Sequence, residues 1–242
     1  MKRLSLLLLI AVAALVAACE GSITITRPSG TIIDETVEVG SFTGINLTAV
    51  GSVNVTQGES TSVVVSADDN IMPLLQTEVE DDMLVLSIEG NNTFSSPPSI
   101  IYEITVPQLD SIRLSGAGNI NTDRIEGESF SIRLSGAGDM VIPYLDVNSL
   151  DIALSGAGSI TISDGRADQQ RIESSGVGTY ATRGLQSTEA EVSLSGAGNI
   201  TLSVSETLNG EVSGVGNIAY VGNPTVDVNV SGIGSVNRVG SS

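Results

Sequence analysis

The stretch Leu154-Ser155-Gly156-Ala157-Gly158-Ser159-Ile160 decides the fold, because the motif SGxG at its centre recurs through the second half of the chain. The spacings between successive motifs are 20, 20, 20, 20, 18 and 18 residues, and the motif begins at Ser115, Ser135, Ser155, Ser175, Ser195, Ser213 and Ser231. Such regular self-similarity is the signature of a repeat protein, and this period is too short for propeller blades or helical hairpins. We therefore predict one turn of a solenoid per repeat.

Apolar and polar residues alternate on both sides of the glycine pair. In most repeats one apolar residue stands three positions before the serine and another stands directly before it. A small polar residue and then an apolar residue follow the second glycine. Because neighbouring side chains of a strand point to opposite faces, this period of two predicts half-buried strands that meet at a bend. Two glycines per repeat would destabilise a helix by about 2 kcal/mol, whereas at a bend they permit close stacking.

The repeats predict an all-β fold, a single-stranded β-helix or β-solenoid with coils of roughly 20 residues and a less regular β-rich N-terminal part. Equivalent residues of successive coils would stack about 4.8 Å apart, with aliphatic columns inside and a ladder of small polar residues after each corner. The glycines of the predicted corners are Gly116, Gly118, Gly136, Gly138, Gly156, Gly158, Gly176, Gly178, Gly196, Gly198, Gly214, Gly216, Gly232 and Gly234.

The chain from roughly 23 to 110 is rich in strand patterns but less periodic. Residues 47–53 read as a degenerate corner, and residues 78–86 read as a hairpin that turns at Asp81 and Asp82. Asp68-Asp69-Asn70 is predicted to cap a short helix that extends to Leu75, since Asp and Asn accept hydrogen bonds from first-turn amides.

The first nineteen residues have the layout of a secretory signal. Lys2 and Arg3 precede an almost wholly apolar stretch, and Ala17 and Ala18 precede Cys19, the only cysteine. The apolar stretch is shorter than the roughly 20 residues that span a bilayer as a helix. Val16-Ala17-Ala18-Cys19 resembles the lipobox of bacterial lipoproteins, and this resemblance implies that Cys19 is acylated and becomes the mature N-terminus. An ordinary signal peptide with a cysteine at its boundary is the alternative.

The composition argues against several classes of function. The 242 residues contain no His, one Cys and a single Lys, Lys2, and the formal net charge is −18. Hence there is no imidazole base, no His ligand, no internal disulfide and no CxxC zinc site. Binding to nucleic acid requires clustered cations, so this acidic chain is a poor candidate for it. We predict a non-enzymatic protein without catalytic residues, metal ligands or cofactors.

A single calcium site is one alternative to the prediction that the protein binds no metal. Carboxylates are calcium ligands, but Asp139 is the only residue of the polar ladder that has one. Acidic turn residues of the N-terminal part are the other candidates, namely Asp68, Asp69, Glu80, Asp81 and Asp82.

A glycan-active enzyme, either a polysaccharide lyase or a hydrolase, is the second open alternative. β-Helices host such enzymes, which use carboxylates on one face. Arg113 and Arg133 occupy equivalent positions on adjacent turns and are the best cationic candidates, while ordinary solvated surface is the simpler interpretation of both.

The sequence resembles the head GIN domain family of bacterial auto-transporter adhesins, also catalogued as a domain of unknown function. The resemblance rests on Val39-Gly40-Ser41-Phe42-Thr43-Gly44-Ile45, on Ala67-Asp68-Asp69-Asn70, on Val106-Pro107-Gln108-Leu109 and on the run of SGxG turns. It covers roughly residues 38–238 and implies a β-helix-like fold with a secreted or lipid-anchored location. The resemblance brings no catalytic residues.

The predicted organisation is a lipoprotein signal peptide at 1–18, the lipidated Cys19 with a tether or first strand at 19–37, a GIN-like solenoid at 38–238 and a tail at 239–242. We predict a lipid-anchored cell-envelope protein whose solenoid surface serves adhesion or binding of glycan or protein. The expected partners are a membrane, through the anchor, and an envelope ligand. A further copy of the chain could pair with open backbone near Val236.

Overall fold

The computed structural model describes residues 24–90 and 92–240. These residues form 23 strands and one short 3-10 helix, Met72–Leu74, and contain no α-helix. The strands before the first regular corner are β1 (Thr24–Thr26), β2 (Ile32–Thr36), β3 (Gly44–Leu47), β4 (Val50–Gln57), β5 (Ser62–Asp68), β6 (Leu75–Glu80), β7 (Met83–Ile88), β8 (Asn92–Phe94) and β9 (Ile100–Val106). The following strands are β10 (Ser111–Leu114), β11 (Ala117–Thr122), β12 (Arg124–Glu126), β13 (Ser129–Leu134), β14 (Met140–Leu154), β15 (Ala157–Ser174), β16 (Val177–Thr182), β17 (Leu185–Gln186), β18 (Glu189–Leu194), β19 (Ala197–Ser203), β20 (Thr207–Val212), β21 (Val215–Val221), β22 (Thr225–Val230) and β23 (Ile233–Arg238).

The strands wind into a β-solenoid of about six turns, which confirms the predicted fold class. Strands that lead into an SGxG corner pair in parallel and in register, so that Ile112 lies beside Ile132. Strands that leave the corner do the same, with Ile120 beside Met140. We call these two surfaces the leading face and the trailing face. A shift of 20 residues along the chain is thus a shift of one rung in space.

A third, shorter face closes each of the first regular coils. It consists of β12, the middle of β14, the middle of β15 and β17, paired in parallel. The third face ends at β17, and the subsequent corners are spaced by 18 residues rather than 20. The 18-residue coils are therefore two residues shorter on the side where the 20-residue coils have a third strand.

Columns of like residues fill the interior. The column at the third position before each corner, on the leading face, is at most 1% exposed and consists of Ile112, Ile132, Ile152, Ile172 and Val192. Stacking aliphatic side chains of similar shape removes apolar surface from water on every rung, at about 25 cal/mol per Å². Polar groups enter the interior as well: Gln170 and Tyr180 are buried in one coil, where the Tyr180 hydroxyl donates to Gln170 Oε1 at 2.8 Å.

The corner glycines lie where successive coils approach most closely. A Cβ at Gly156 would overlap the carbonyl oxygen of Gly136 and lie 2.6 Å from the carbonyl carbon of Ser135. The second glycine of a corner meets the same obstacle, and Gly138 in addition has a φ of 142°, a region that side chains disfavour. The obstacles are backbone atoms of the neighbouring rung, so they cannot rotate away.

The N-terminal part continues the solenoid and then ends it with antiparallel strands. Val50 and Gly51 stand in register with Ala117 and Gly118, which confirms the degenerate corner read from residues 47–53. Beyond this coil, β7 and β9 add one more parallel rung. Antiparallel β6, β5 and β2 then cover the end of both faces. The predicted hairpin is also confirmed, since Asp81 at φ 47° and Asp82 at φ 62° connect β6 to β7.

The predicted short helix after Asp68 is wrong in extent and in its cap. The chain makes a single 3-10 turn, and no side chain accepts a hydrogen bond from its first amides. The Asp68 carboxylate instead accepts from the backbone amide of Gly30 at 2.7 Å, and the Asn70 side chain accepts from the amide of Ser29 at 3.1 Å. The side chains that were predicted to cap the helix therefore bind backbone amides of a loop that is distant in the sequence.

Two buried tyrosines predict how stability depends on alkaline pH. Burial raises the pKa of Tyr102 and of Tyr180 above the ordinary value near 10, because the phenolate is poorly solvated inside the coil. The folded state then retains protons that the unfolded chain loses, so the stability is complete below pH 10 and falls above it. We expect a loss of up to about 1.4 kcal/mol per pH unit for each tyrosine, measured by urea unfolding between pH 7 and 12.

The composition makes this alkaline titration easy to assign. The chain has no His, one Lys and one Cys, so tyrosines dominate the titration in this pH range. The double variant Tyr102→Phe, Tyr180→Phe should keep its stability to higher pH. A decline of the original protein that begins between pH 7 and 9 would contradict the assignment.

Candidate binding surface

The seven corners create one continuous exposed strip, which we call the corner surface. Its first row is the exposed serines of the SGxG motifs. Its second row consists of the residues between the two glycines of each motif. Neighbouring members of this row pair with each other from coil to coil: Ala117, Ala137, Ala157, Val177, Ala197, Val215 and Ile233. Val177 is 63% exposed, Val215 55% and Ile233 76%. Since rungs repeat every 4.8 Å, the strip spans roughly 29 Å.

A third row of small polar residues lies beside the apolar row on the trailing face. The Asp139 amide donates to Asn119 Oδ1 at 3.2 Å, and the Ser159 amide donates to Asp139 Oδ1 at 2.8 Å. Further along, Asn217 donates to Asn199 at 3.1 Å and Ser235 donates to Asn217 at 2.7 Å. The predicted polar ladder therefore forms at these rungs: Asn119, Asp139, Ser159, Asn199, Asn217 and Ser235. These hydrogen bonds orient the polar side chains of the third row.

Arg113 and Arg133 lie side by side on the outer surface of the leading face, in direct register. Arg133 makes an ion pair with Asp151, with Nη1 2.5 Å from Oδ1. A shallow groove of about 460 Å³ runs between these arginines and the serine row, and Ser135 and Ser155 contribute to its wall. The same column continues with Ala153 and Glu173. Arg171, further along this face, is paired with two carboxylates, so its positive charge is neutralised there.

A glycan-active enzyme would need a pair of carboxylates on one face. Arg171 holds two carboxylates, with Glu173 at 2.9 Å and Glu191 at 2.6 Å, so two acids do lie close together. The Arg171 guanidinium is bound to both carboxylates, whereas a general acid needs a carboxyl that is free to exchange its proton with the substrate. Arg166 lowers the pKa of the Asp168 carboxyl by hydrogen bonding to it. The arrangement favours structural ion pairs over acid–base chemistry.

The acidic residues that were candidates for a calcium site have different structural roles. Asp68 is buried and bonded to the Gly30 amide, while Asp81 and Asp82 form the hairpin turn. Among residues 24–90 and 92–240, no group of three or more His, Cys, Asp or Glu side chains is arranged to hold a metal ion. The structure thus brings these candidates to no common point.

A groove of about 920 Å³ lies where the regular coil is interrupted near the N-terminal end of the corner surface. Ile88, Phe94, Pro97 and Pro98 contribute to its walls. The segment that forms it leaves the solenoid after β7, and β8 pairs with β1 before the chain returns at β9. The sequence indicated only a loop here, since Ser95–Pro98 contains turn residues but nothing that shows the pairing with β1.

The predicted lipidation residue, Cys19, lies outside the described residues. Within 24–90 and 92–240, the structure contains no helix that is long and apolar enough to cross a membrane. In the last coil, β22 and β23 pair only with the preceding coil among the described strands. Pairing of a second copy near Val236 remains a prediction.

These features define a repeat-built scaffold that displays ordered rows of side chains on a rigid surface. The head GIN domain model, described as "Putative auto-transporter adhesin, head GIN domain", matches residues 41–224. The chain therefore belongs to the head GIN domain family. The search of curated proteins found no match.

Solved structures share the fold over their whole length. A "putative adhesin" from Bacteroides fragilis is 28% identical, with a TM-score of 0.85, and the match covers 88% of this chain and 100% of that one. A "putative adhesin" from Parabacteroides merdae is 20% identical, with a TM-score of 0.70 and coverage of 89% and 99%. A "putative lipid binding protein" from Parabacteroides distasonis is 18% identical, with a TM-score of 0.68 and coverage of 89% and 100%. The last two likenesses show the fold alone.

Proposed function

We propose that this protein is a non-enzymatic, lipid-anchored protein of the cell envelope whose solenoid binds glycan or protein and so serves adhesion. The corner surface carries the proposal, because it is a long, exposed strip in which hydroxyl, apolar and amide groups repeat in register. Such a rigid surface can contact an extended ligand without losing conformational entropy of its own. The family description and the Bacteroides fragilis relative support an adhesion-like role.

The anchor is the part of the proposal that rests on Cys19 and its lipobox. Each buried methylene contributes about 0.8 kcal/mol, so two or more acyl chains hold a protein on a membrane firmly. Five residues separate Cys19 from Thr24, which span at most roughly 17 Å, so an anchor at Cys19 would hold β1 close to the membrane. The corner surface would then extend outward from the anchor.

Membrane fractionation with mass spectrometry of the N-terminus tests the anchor. In Cys19→Ala, we expect most of the protein to move from the membrane fraction to the soluble or unprocessed fraction, without acyl groups on any residue. Ser22→Ala, three residues away, should behave as the original protein. Acylation absent from the original protein, or membrane association unchanged in Cys19→Ala, would contradict the anchor.

Retention of cells on coated surfaces tests the adhesion role. The variant Val177→Ser, Val215→Ser removes two exposed side chains of the corner surface, and we expect about thirtyfold weaker retention on glycan or envelope-protein coatings, since burying each side chain is worth roughly 1 kcal/mol. The matched control is Ile25→Ser, Ile32→Ser, which removes side chains that are 69% and 48% exposed elsewhere. Equal retention of both variants would remove the corner surface from the proposal.

A further inference from the structure

The register of Arg113 with Arg133 places two like charges directly opposite each other on neighbouring strands. Like charges in such cross-strand positions are unfavourable for folding. Other rungs of the same column carry Asn46, Ala153 and Glu173, so the solenoid does not require arginine there. The fold does not require two arginines here, and their repulsion lowers the stability of the folded state. Binding of a ligand would explain why both are present.

The two guanidinium groups still have unused hydrogen-bond donors. The ion pair of Arg133 with Asp151 and its bonds to the carbonyls of Ile132 and Asp151 all use Nη1. Its Nε and Nη2 therefore have no partner among the described residues. Within the same part of the chain, no carboxylate lies within 4 Å of the exposed Arg113. Arg113, Arg133 and Asp151 together therefore carry one net positive charge.

The groove beside the arginines supplies room and further polar groups. It measures about 460 Å³, and the exposed serines Ser115, Ser135 and Ser155 stand along it, one per rung. Further along the face Glu173, Glu191 and Glu211 are all exposed. An anionic ligand would be repelled from that acidic part and confined to the arginine end.

We propose that Arg113 and Arg133, together with the adjoining serine row, bind a carboxylate or sulfate group of an anionic polysaccharide. The guanidinium is a planar fork that matches both anions, and hydroxyls of Ser135 and Ser155 can donate to sugar oxygens. A bound anion between the two arginines relieves their mutual repulsion. This inference rests on the proposed binding function and specifies its ligand class.

Equilibrium titration of the purified protein tests the site with polygalacturonate, dextran sulfate and neutral dextran as probes. We expect binding of at least one anionic polymer and none of dextran, with affinity falling as salt rises. Arg113→Ala should weaken binding at least tenfold, and its unfolding midpoint should be unchanged or higher. The matched control Arg166→Ala removes the same charge from an arginine paired with Asp168 on the third face, and it should bind as the original does.

The outcomes separate this site from the broader function. Binding of polygalacturonate alone assigns a carboxylate ligand, and binding of dextran sulfate alone assigns a sulfate ligand. Equal losses in Arg113→Ala and Arg166→Ala would overturn the site in favour of general charge attraction, and so would an unfolding midpoint several degrees lower in Arg113→Ala. If no anionic polymer binds while cells are still retained through the corner surface, this inference fails and the proposed function stands.

Discussion

Gly156→Val is expected to lower the free energy of unfolding by at least about 4 kcal/mol, a loss reached only by substitutions that break a packed site. The new Cβ would overlap the carbonyl oxygen of Gly136 and crowd the carbonyl carbon of Ser135. Separating the rungs to make room would break the 2.9 Å hydrogen bonds from Gly156 to Leu134 and from Ala157 to Gly136. Thermal and urea unfolding followed by circular dichroism would measure the loss.

Ala157→Val, one residue further along, is the matched control. Ala157 is exposed, and the equivalent position of other coils is already valine, at Val177 and Val215. We expect a change within about 0.5 kcal/mol. Equal destabilisation by the two substitutions would contradict the close stacking of glycines at the corners.

Deletion of one whole repeat is expected to be tolerated, whereas deletion of a single residue within the repeat is not. Removal of residues 136–155 joins Ser135 to Gly156 and restores an intact SGxG corner. The shortened chain can then bring Ile120 beside Ile160, both fully or almost fully buried in the same column. Because each coil contacts only its neighbours, we expect a folded, cooperative protein whose stability falls by the share of one coil.

Deletion of Ala153 alone should abolish cooperative unfolding. It shifts the alternation by one residue, so either Ile152 or Leu154 must leave the core, along with every side chain on that part of the strand. Circular dichroism melting and amide hydrogen exchange would compare the two deletions. A folded single-residue deletion beside an unfolded repeat deletion would contradict the stacking of coils.

The regular coils could be predicted from the sequence because one period repeats without interruption. The alternation around each corner identifies the buried residues, and the spacing of 20 residues alone predicts that Arg113 lies beside Arg133. Their charge environment was not predictable in the same way. Asp151, the partner of Arg133, stands 18 residues later on the next rung, and this diagonal contact depends on side-chain conformation.

The end of the solenoid and its third face were beyond sequence reasoning. Antiparallel β2 and β5 cover the first coil through pairings that no periodicity indicates, whereas the pairing of β6 with β7 was predicted from the acidic turn. The capping residues after Asp68 were misread because their hydrogen-bond partners, Ser29 and Gly30, lie about 40 residues earlier in the chain. Local propensity yields to such long-range contacts when they satisfy the same polar groups.

The most direct test of the central claim, that the solenoid binds surface polymers without converting them, is one array measurement. Purified protein is equilibrated with immobilised envelope glycans and proteins, and the mass of each bound glycan is read afterwards. We expect saturable binding to at least one ligand whose mass does not change. Shortened or unsaturated glycan products, or no binding to any member of the array, would contradict it.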